Sequence, residues 1–191
     1  MINLEFINSI DVNIINIIER KIQSPMLDKI MPFISSLGGM VIWMLIAMVF
    51  IFTKKYRKYG IVLIITLAAC VLIGDVLIKP IVQRIRPCNT YDELRMIISR
   101  PSSYSFPSGH SMRSFAAAMI LFRANKKIGI PAFVLAFLTG FSRAYLYAHY
   151  FTDIILGALL GVFCAFCIYK LLIDNEKINK CLEERYSVLW C

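Results

Sequence analysis

Residues 31–52 form a run of 22 positions without one charged side chain, and no other feature constrains the chain as much. About 20 apolar residues of helix span the roughly 30 Å hydrocarbon layer of a bilayer, where each backbone polar group must find its partner inside the protein. The pattern recurs. Residues 60–78 make a second run whose only charge is Asp75; a shorter one ends at Phe122, a fourth begins near Ile128, and a last extends from residue 154 to about residue 173. Only 17% of the 191 residues are charged while 59% are hydrophobic, too little charge to cover a water-soluble surface of that size. The expectation is an all-α fold, a polytopic membrane helical bundle in one domain. It would have five transmembrane helices in a core over residues 31–173, an N-terminal helix and turn over residues 1–30, and a cytoplasmic tail over residues 174–191. Residues 2–22 mix apolar side chains with Asn, Asp and Glu, which fits either an amphipathic interfacial helix or a sixth span. They lack the basic n-region and small-residue cleavage site of a removable signal.

The formal charge of +9 does not mark a nucleic-acid binder, since the basic residues form no continuous stripe and accompany no recognition module. Lys54, Lys55, Arg57 and Lys58 fill one connection, Arg123, Lys126 and Lys127 another, and Lys170 precedes the tail. With five alternating spans these fall on one side, which the positive-inside rule makes cytoplasmic. Residues 79–109 and 143–153 then collect on the outer side, and they are basic too. Orientation alone gives no reason for that second concentration of charge. The six cysteines imply no disulfide framework. Cys164 and Cys167 make a C-x-x-C, but within an apolar run and without a second ligand pair they read as small buried hydrophobes.

Three segments on the outer side carry chemistry. "KPIVQRIRP" (residues 79–87) places Lys79, Arg84 and Arg86 at the end of a span, where basic side chains ordinarily snorkel to headgroups. "PSGH" (residues 107–110) opens a helix. Ser108 suits an N-cap, Gly109 admits an anion close to the backbone, and unpaired N–H groups there favour negative charge. A capping turn explains Ser108 and Gly109 but gives no reason for His110. "SRAYLYAHYFTD" (residues 142–153) holds Ser142, Arg143, His149 and Asp153. His149 and Asp153 are four apart, so on helical backbone they share a face. A carboxylate accepting from one imidazole nitrogen leaves the other's lone pair available for attack. An isolated pair also fits an interfacial histidine beside a capping aspartate. These are the only two histidines in the chain, however, and both fall on the same side.

Taken in order, Lys-x6-Arg-Pro, Pro-Ser-Gly-His and Ser-Arg-x5-His-x3-Asp resemble the signature of the type 2 phosphatidic acid phosphatase superfamily. That superfamily takes in lipid phosphate phosphatases, bacterial acid phosphatases and vanadium haloperoxidases. The likeness covers the 75 residues from 79 to 153, and the alternation of spans is similar to the membrane branch. It implies an integral-membrane hydrolase of a lipid phosphomonoester or diphosphate, with phosphatidic acid, phosphatidylglycerol phosphate and undecaprenyl diphosphate as candidates. It also implies a site facing the outside of a bacterial cell membrane. By the same resemblance His149 attacks phosphorus to form a phosphohistidine, Asp153 orients it, and His110 protonates the leaving oxygen and then activates water. Lys79, Arg86 and Arg143, with Ser108 and the Gly109 amide, bind the phosphoryl oxygens, as suits charge spread over three equatorial oxygens. No cofactor is implied and no metal, since no cluster of carboxylate or Cys/His ligands accompanies the motifs. The expected partners are the lipid substrate and the bilayer.

The motifs do not separate water from another alcohol as acceptor. A lipid phosphotransferase using the same phosphohistidine therefore stays open, as does a non-catalytic protein whose basic segments bind anionic lipid. Three residues outside the signature have more than one reading. Arg84 either faces headgroups or contacts a second phosphate. Arg113, three after His110, needs a carboxylate or water; Asp75 either supplies it or pairs with Lys79, four residues on. Residues 88–106, with "YDELRMII", form either a short amphipathic lid or a surface loop.

Overall fold

The computed structural model describes residues 4–91 and 93–174, which contain helices and no strand; the expected tail, with Cys181 and Cys191, lies outside them. Helix α1 (Leu4–Ile17) runs into a π-helical turn (Ile18–Ile22). Then come α2 (Pro25–Leu37), α3 (Met40–Phe52) and α4 (Arg57–Cys70), the last continuing through a π-helical stretch (Val71–Ile78) into α5 (Lys79–Val82). A single turn, α6 (Pro87–Thr90), precedes three long helices: α7 (Gly109–Ala124), α8 (Lys126–Tyr145) and α9 (Phe151–Leu172).

The uncharged 22-residue run is not one straight span. Helices α2 and α3 meet at 45° across Gly38–Gly39, because the corner rests directly on α8. A Cβ on Gly38 would fall 2.1 Å from the Thr139 methyl. Among the described residues three stretches, Arg57–Thr90, Lys126–Tyr145 and Phe151–Leu172, are long and apolar enough to cross a membrane, and the bent α2–α3 pair makes a fourth if counted as one. The expected fifth, α7, has only 16 residues, since it serves as the buried axis of the bundle rather than as a lipid-facing wall.

Helix α7 packs against α4, α8 and α9, burying Ser111, Met112, Ser114, three consecutive alanines (Ala116, Ala117, Ala118), Ile120 and Leu121. Lipid tails are as apolar as leucine, so tight association of helices in a bilayer depends on small residues that let backbones approach. Gly161 of α9 meets that need: a Cβ there would lie 2.1 Å from the Met112 carbonyl oxygen. The indole of Trp43, fully buried, donates to Ser114 Oγ at 3.1 Å. Outward-facing positions are oily, among them Val41, Ile81, Phe137 and Phe163, as a lipid-facing belt requires. Of the C-x-x-C, Cys164 is buried but Cys167 is exposed, because only one stripe of α9 enters the core.

Tyr56 and Asn125 are hydrogen-bonded at 3.1 Å, and Arg123 lies over the Tyr169 ring. These contacts gather the two basic connections and the C-terminal part of α9 at one end of the bundle. The three motif segments meet at the other end.

Candidate active site

A cavity of about 370 Å³ opens among the three motif segments. Lys79, Arg86, Gly109, His110, Arg143 and His149 line it, joined by Asp75, Pro101, Ser103 and Arg113. Ser108 and Asp153, also expected at the site, are fully buried and stand behind this wall.

The backbone between α8 and α9 aims His149. After the last turn of α8, Tyr147 adopts a left-handed φ of 54°, a conformation that costs a non-glycine residue roughly 1–3 kcal/mol and persists only where surroundings hold it. Here they do. The Ala148 and His149 N–H groups return to the Arg143 carbonyl, Cys88 N–H donates to the Tyr147 carbonyl, and Arg86 Nη1 donates to the Ala148 carbonyl at 2.6 Å. The reversed chain delivers His149, 3% exposed, to the cavity wall.

Its neighbours define the tautomer. Nδ1 lies 2.7 Å from the Ser105 carbonyl oxygen, which only accepts, so Nδ1 carries the proton. Nε2 lies 3.1 Å from Arg86 Nη1, which only donates, so Nε2 presents its lone pair. Burial, followed by the charges of Arg86, Arg143 and Lys79, holds the ring neutral, its pKa well below the usual 6.5. The arrangement differs from the shared helical face expected of His149 and Asp153. Helix α9 starts only at Phe151, so His149 precedes it, and the Asp153 carboxylate stands 4.0 Å from Nδ1. Asp153 acts instead on the segment that holds the ring: Oδ2 accepts from Ser105 Oγ and from the Tyr150 N–H.

Arg84 does not face headgroups. It bridges Asp153 Oδ1 and Asp11 Oδ2 and stacks 4.0 Å over the Tyr150 ring. Asp11 is 1% exposed and also accepts from the Thr152 N–H and hydroxyl. The acidic interruption in the N-terminal apolar pattern is thus the foot of a hydrogen-bonded network behind His149. Asp75 resolves its two options by taking both: one oxygen accepts from Lys79 and the other from Arg113. Arg143 Nη1 donates to Ser35 Oγ at 2.8 Å, so α2 steadies a cation of the α8 motif. Ser108 caps α7 as expected, accepting from the Ser111 N–H and hydroxyl. Residues 93–108 form no helical lid. They pack irregularly over the site, with Pro101 and Ser103 in the wall and Leu94 buried beneath.

Two imidazoles and four cationic side chains line one cavity at one end of a helical bundle, an arrangement suited to a phosphoryl group. The PAP2 superfamily model matches residues 58–177, and the chain belongs to that superfamily and is a phosphatase. An undecaprenyl-diphosphatase of Sulfolobus acidocaldarius is 31% identical over 141 residues, 73% of this chain and 68% of its own. Phosphatidylglycerophosphatase B of Bacillus subtilis is 31% identical over 173 residues, 83% and 80% of the two chains. The crystal structure of a transmembrane PAP2-type phosphatidylglycerolphosphate phosphatase from Bacillus subtilis superposes with a TM-score of 0.76 at 27% identity, covering 92% of this chain and 90% of that one. LpxE of Aquifex aeolicus gives 0.70 at 26% identity, covering 89% and 96%.

Proposed function

We propose that this protein is an integral-membrane lipid phosphate phosphatase that hydrolyses a phosphomonoester or diphosphate of a membrane lipid through a phosphohistidine on His149. The observation that carries this reading is the state of that ring: neutral, with Nδ1–H tied to Ser105 and the Nε2 lone pair turned into a cavity of cations. The names of its relatives, which include a lipid A 4′-phosphatase of Bacteroides thetaiotaomicron, support a lipid phosphate as the substrate class.

In the first step Nε2 attacks phosphorus, the bond to the leaving oxygen breaks, and His110, which takes up a proton as the phosphoryl anion enters among the cations, gives that oxygen the proton. Arg86 caps Nε2 in the resting site, and an incoming phosphoryl group draws its guanidinium onto the equatorial oxygens beside Lys79, Arg143 and the Gly109 amide. Ser108 contributes by fixing the first turn of α7. In the second step His110 takes a proton from water, which attacks phosphorus, breaks the P–N bond and releases inorganic phosphate. Side-chain cations and backbone donors supply the charge stabilisation, so no metal is required. The same reading has one domain with five spans (α2–α3, α4–α5, α7, α8 and α9), the basic connections cytoplasmic and the site at the outer face of a bacterial cell membrane.

Phosphate release from a panel of lipid phosphates in detergent, with and without EDTA, tests the proposal. Wild type should release phosphate from at least one lipid regardless of chelator, and His149→Ala should lose at least about 10³-fold in kcat while circular dichroism shows the helical fold retained. Turnover abolished by EDTA and restored by magnesium contradicts the metal-free mechanism. Label passing to a second alcohol rather than to free phosphate identifies a phosphotransferase.

A further inference from the structure

The superfamily signature accounts for Lys79, Arg86 and Arg143 as cations of the site. Arg113 lies outside the signature, yet its guanidinium lines the same cavity, folded back over the first turn of its own helix. A Cβ on Gly109 would lie 3.0 Å from Arg113 Nη1 and 3.1 Å from Nη2. The side chain is 13% exposed, Nη1 donates to Asp75 at 2.6 Å, and the buried Nε has no hydrogen-bond partner among the described residues. The cavity holds four cations (Lys79, Arg86, Arg113, Arg143) against one carboxylate, Asp75. Four minus one leaves an excess of three before either imidazole is counted.

A phosphomonoester brings roughly 1.5–2 negative charges at neutral pH, and a diphosphate ester brings one more on a second phosphoryl group. In-line displacement sets the leaving group opposite the nucleophile, so away from His149 and towards His110. Arg113 follows His110 by three residues on α7 and shares its face. We propose that Arg113, held by Asp75, forms a second anion subsite that takes the inner phosphate of a lipid diphosphate, so that the site favours diphosphate over monophosphate lipids. The inference rests on the phosphatase reading of this cavity. His149 Nε2 bonds to the outer phosphorus and the bond from that phosphorus to the bridging oxygen breaks. The bonding electrons stay on the bridging oxygen, which takes the His110 proton and leaves as a lipid monophosphate, its negative charge met by Arg113. With a monoester the same guanidinium meets no second anion and stays on Asp75.

The test compares kcat/KM for a polyprenyl diphosphate with that for phosphatidic acid in one detergent, for wild type and Arg113→Gln. The diphosphate-to-monoester ratio should fall roughly 10- to 100-fold in the variant, the worth of a charge-assisted hydrogen bond. An unchanged ratio overturns the subsite, whether both activities fall together or neither moves. Arg113→Lys keeps a charge for Asp75 but loses the fork, and should lower the ratio in the same sense if the glutamine variant fails to fold. Calorimetric titration with methylenediphosphonate and with inorganic phosphate reads binding without turnover. Wild type should bind the diphosphonate at least about tenfold more tightly, and Arg113→Gln should lose that margin; equal binding by wild type, or a margin kept in the variant, overturns the subsite. Wild type inactive on both lipids defeats the phosphatase reading, whereas activity with an unchanged ratio defeats only this inference.

Discussion

At the scale of single residues, the proposed chemistry depends on how His149 is held, and the holding groups come from far along the chain. Ser105 fixes its proton, Asp153 fixes Ser105, and Arg84 with Asp11 fixes Asp153. Asp11→Ala should leave KM little changed and lower kcat roughly 10- to 100-fold, since a small misplacement of a reacting group has that effect. Equal kcat in the variant would remove Asp11 from the positioning network. The depressed pKa of His149 sets the pH response. The folded ring stays neutral below pH 6.5 while the unfolded chain takes up a proton near 6.5, so the stability it contributes falls as pH drops through that value. The acid limb of kcat/KM, corrected for the substrate's own titration, should accordingly lie below pH 6.5; a limb above it would contradict a neutral resting nucleophile. The signature positions were legible in the sequence because each motif is local. Ser105 and Asp11 were not, because their contacts to His149 and Thr152 span 44 and 141 residues; the acidic break at Asp11 was visible, but not its partner.

At the scale of elements, helix ends do the positioning. Helix α7 presents Gly109 and His110 on its first turn, and the left-handed Tyr147 after α8 turns His149 into the same cavity. Both placements depend on α7 lying close against α9. Gly161→Leu should force the helices apart at the Met112 carbonyl and destabilise the protein by about 1–3 kcal/mol or more, seen as a lower Tm in detergent together with reduced turnover. An unchanged Tm would mean that the contact yields without strain. Apolar runs announced the long helices, but one feature escaped them and a second, lid or loop, they left open. The run over residues 31–52 bends because Gly38 meets Thr139, and residues 93–108 form a packed wall in place of a lid helix. Each outcome is set by a tertiary contact, which periodicity cannot report.

At the scale of the whole molecule, positive charge is divided between two ends for two reasons. At one end, Lys54, Lys55, Arg123 and their neighbours flank apolar helices; at the other, Lys79, Arg86, Arg113 and Arg143 converge on a cavity. Both concentrations were visible in the sequence; that the second closes on a single cavity is what the structure adds. Which end faces the cytoplasm is a separate matter, and labelling decides it. In a background without the native cysteines, Ser102→Cys should react with a membrane-impermeant maleimide added to intact cells, while Lys55→Cys should react only after lysis. The reverse pattern would place the site on the cytoplasmic side.

The central claim is that His149 Nε2 becomes bonded to phosphorus during turnover. Rapid quench of the protein with a lipid phosphate carrying ³²P in its terminal phosphoryl group, followed by peptide mapping, measures that bond directly. Acid-labile, base-stable label on His149 in wild type, and none in His149→Ala, is the expected result. Full turnover in which no protein label forms, or label on another residue, would contradict it.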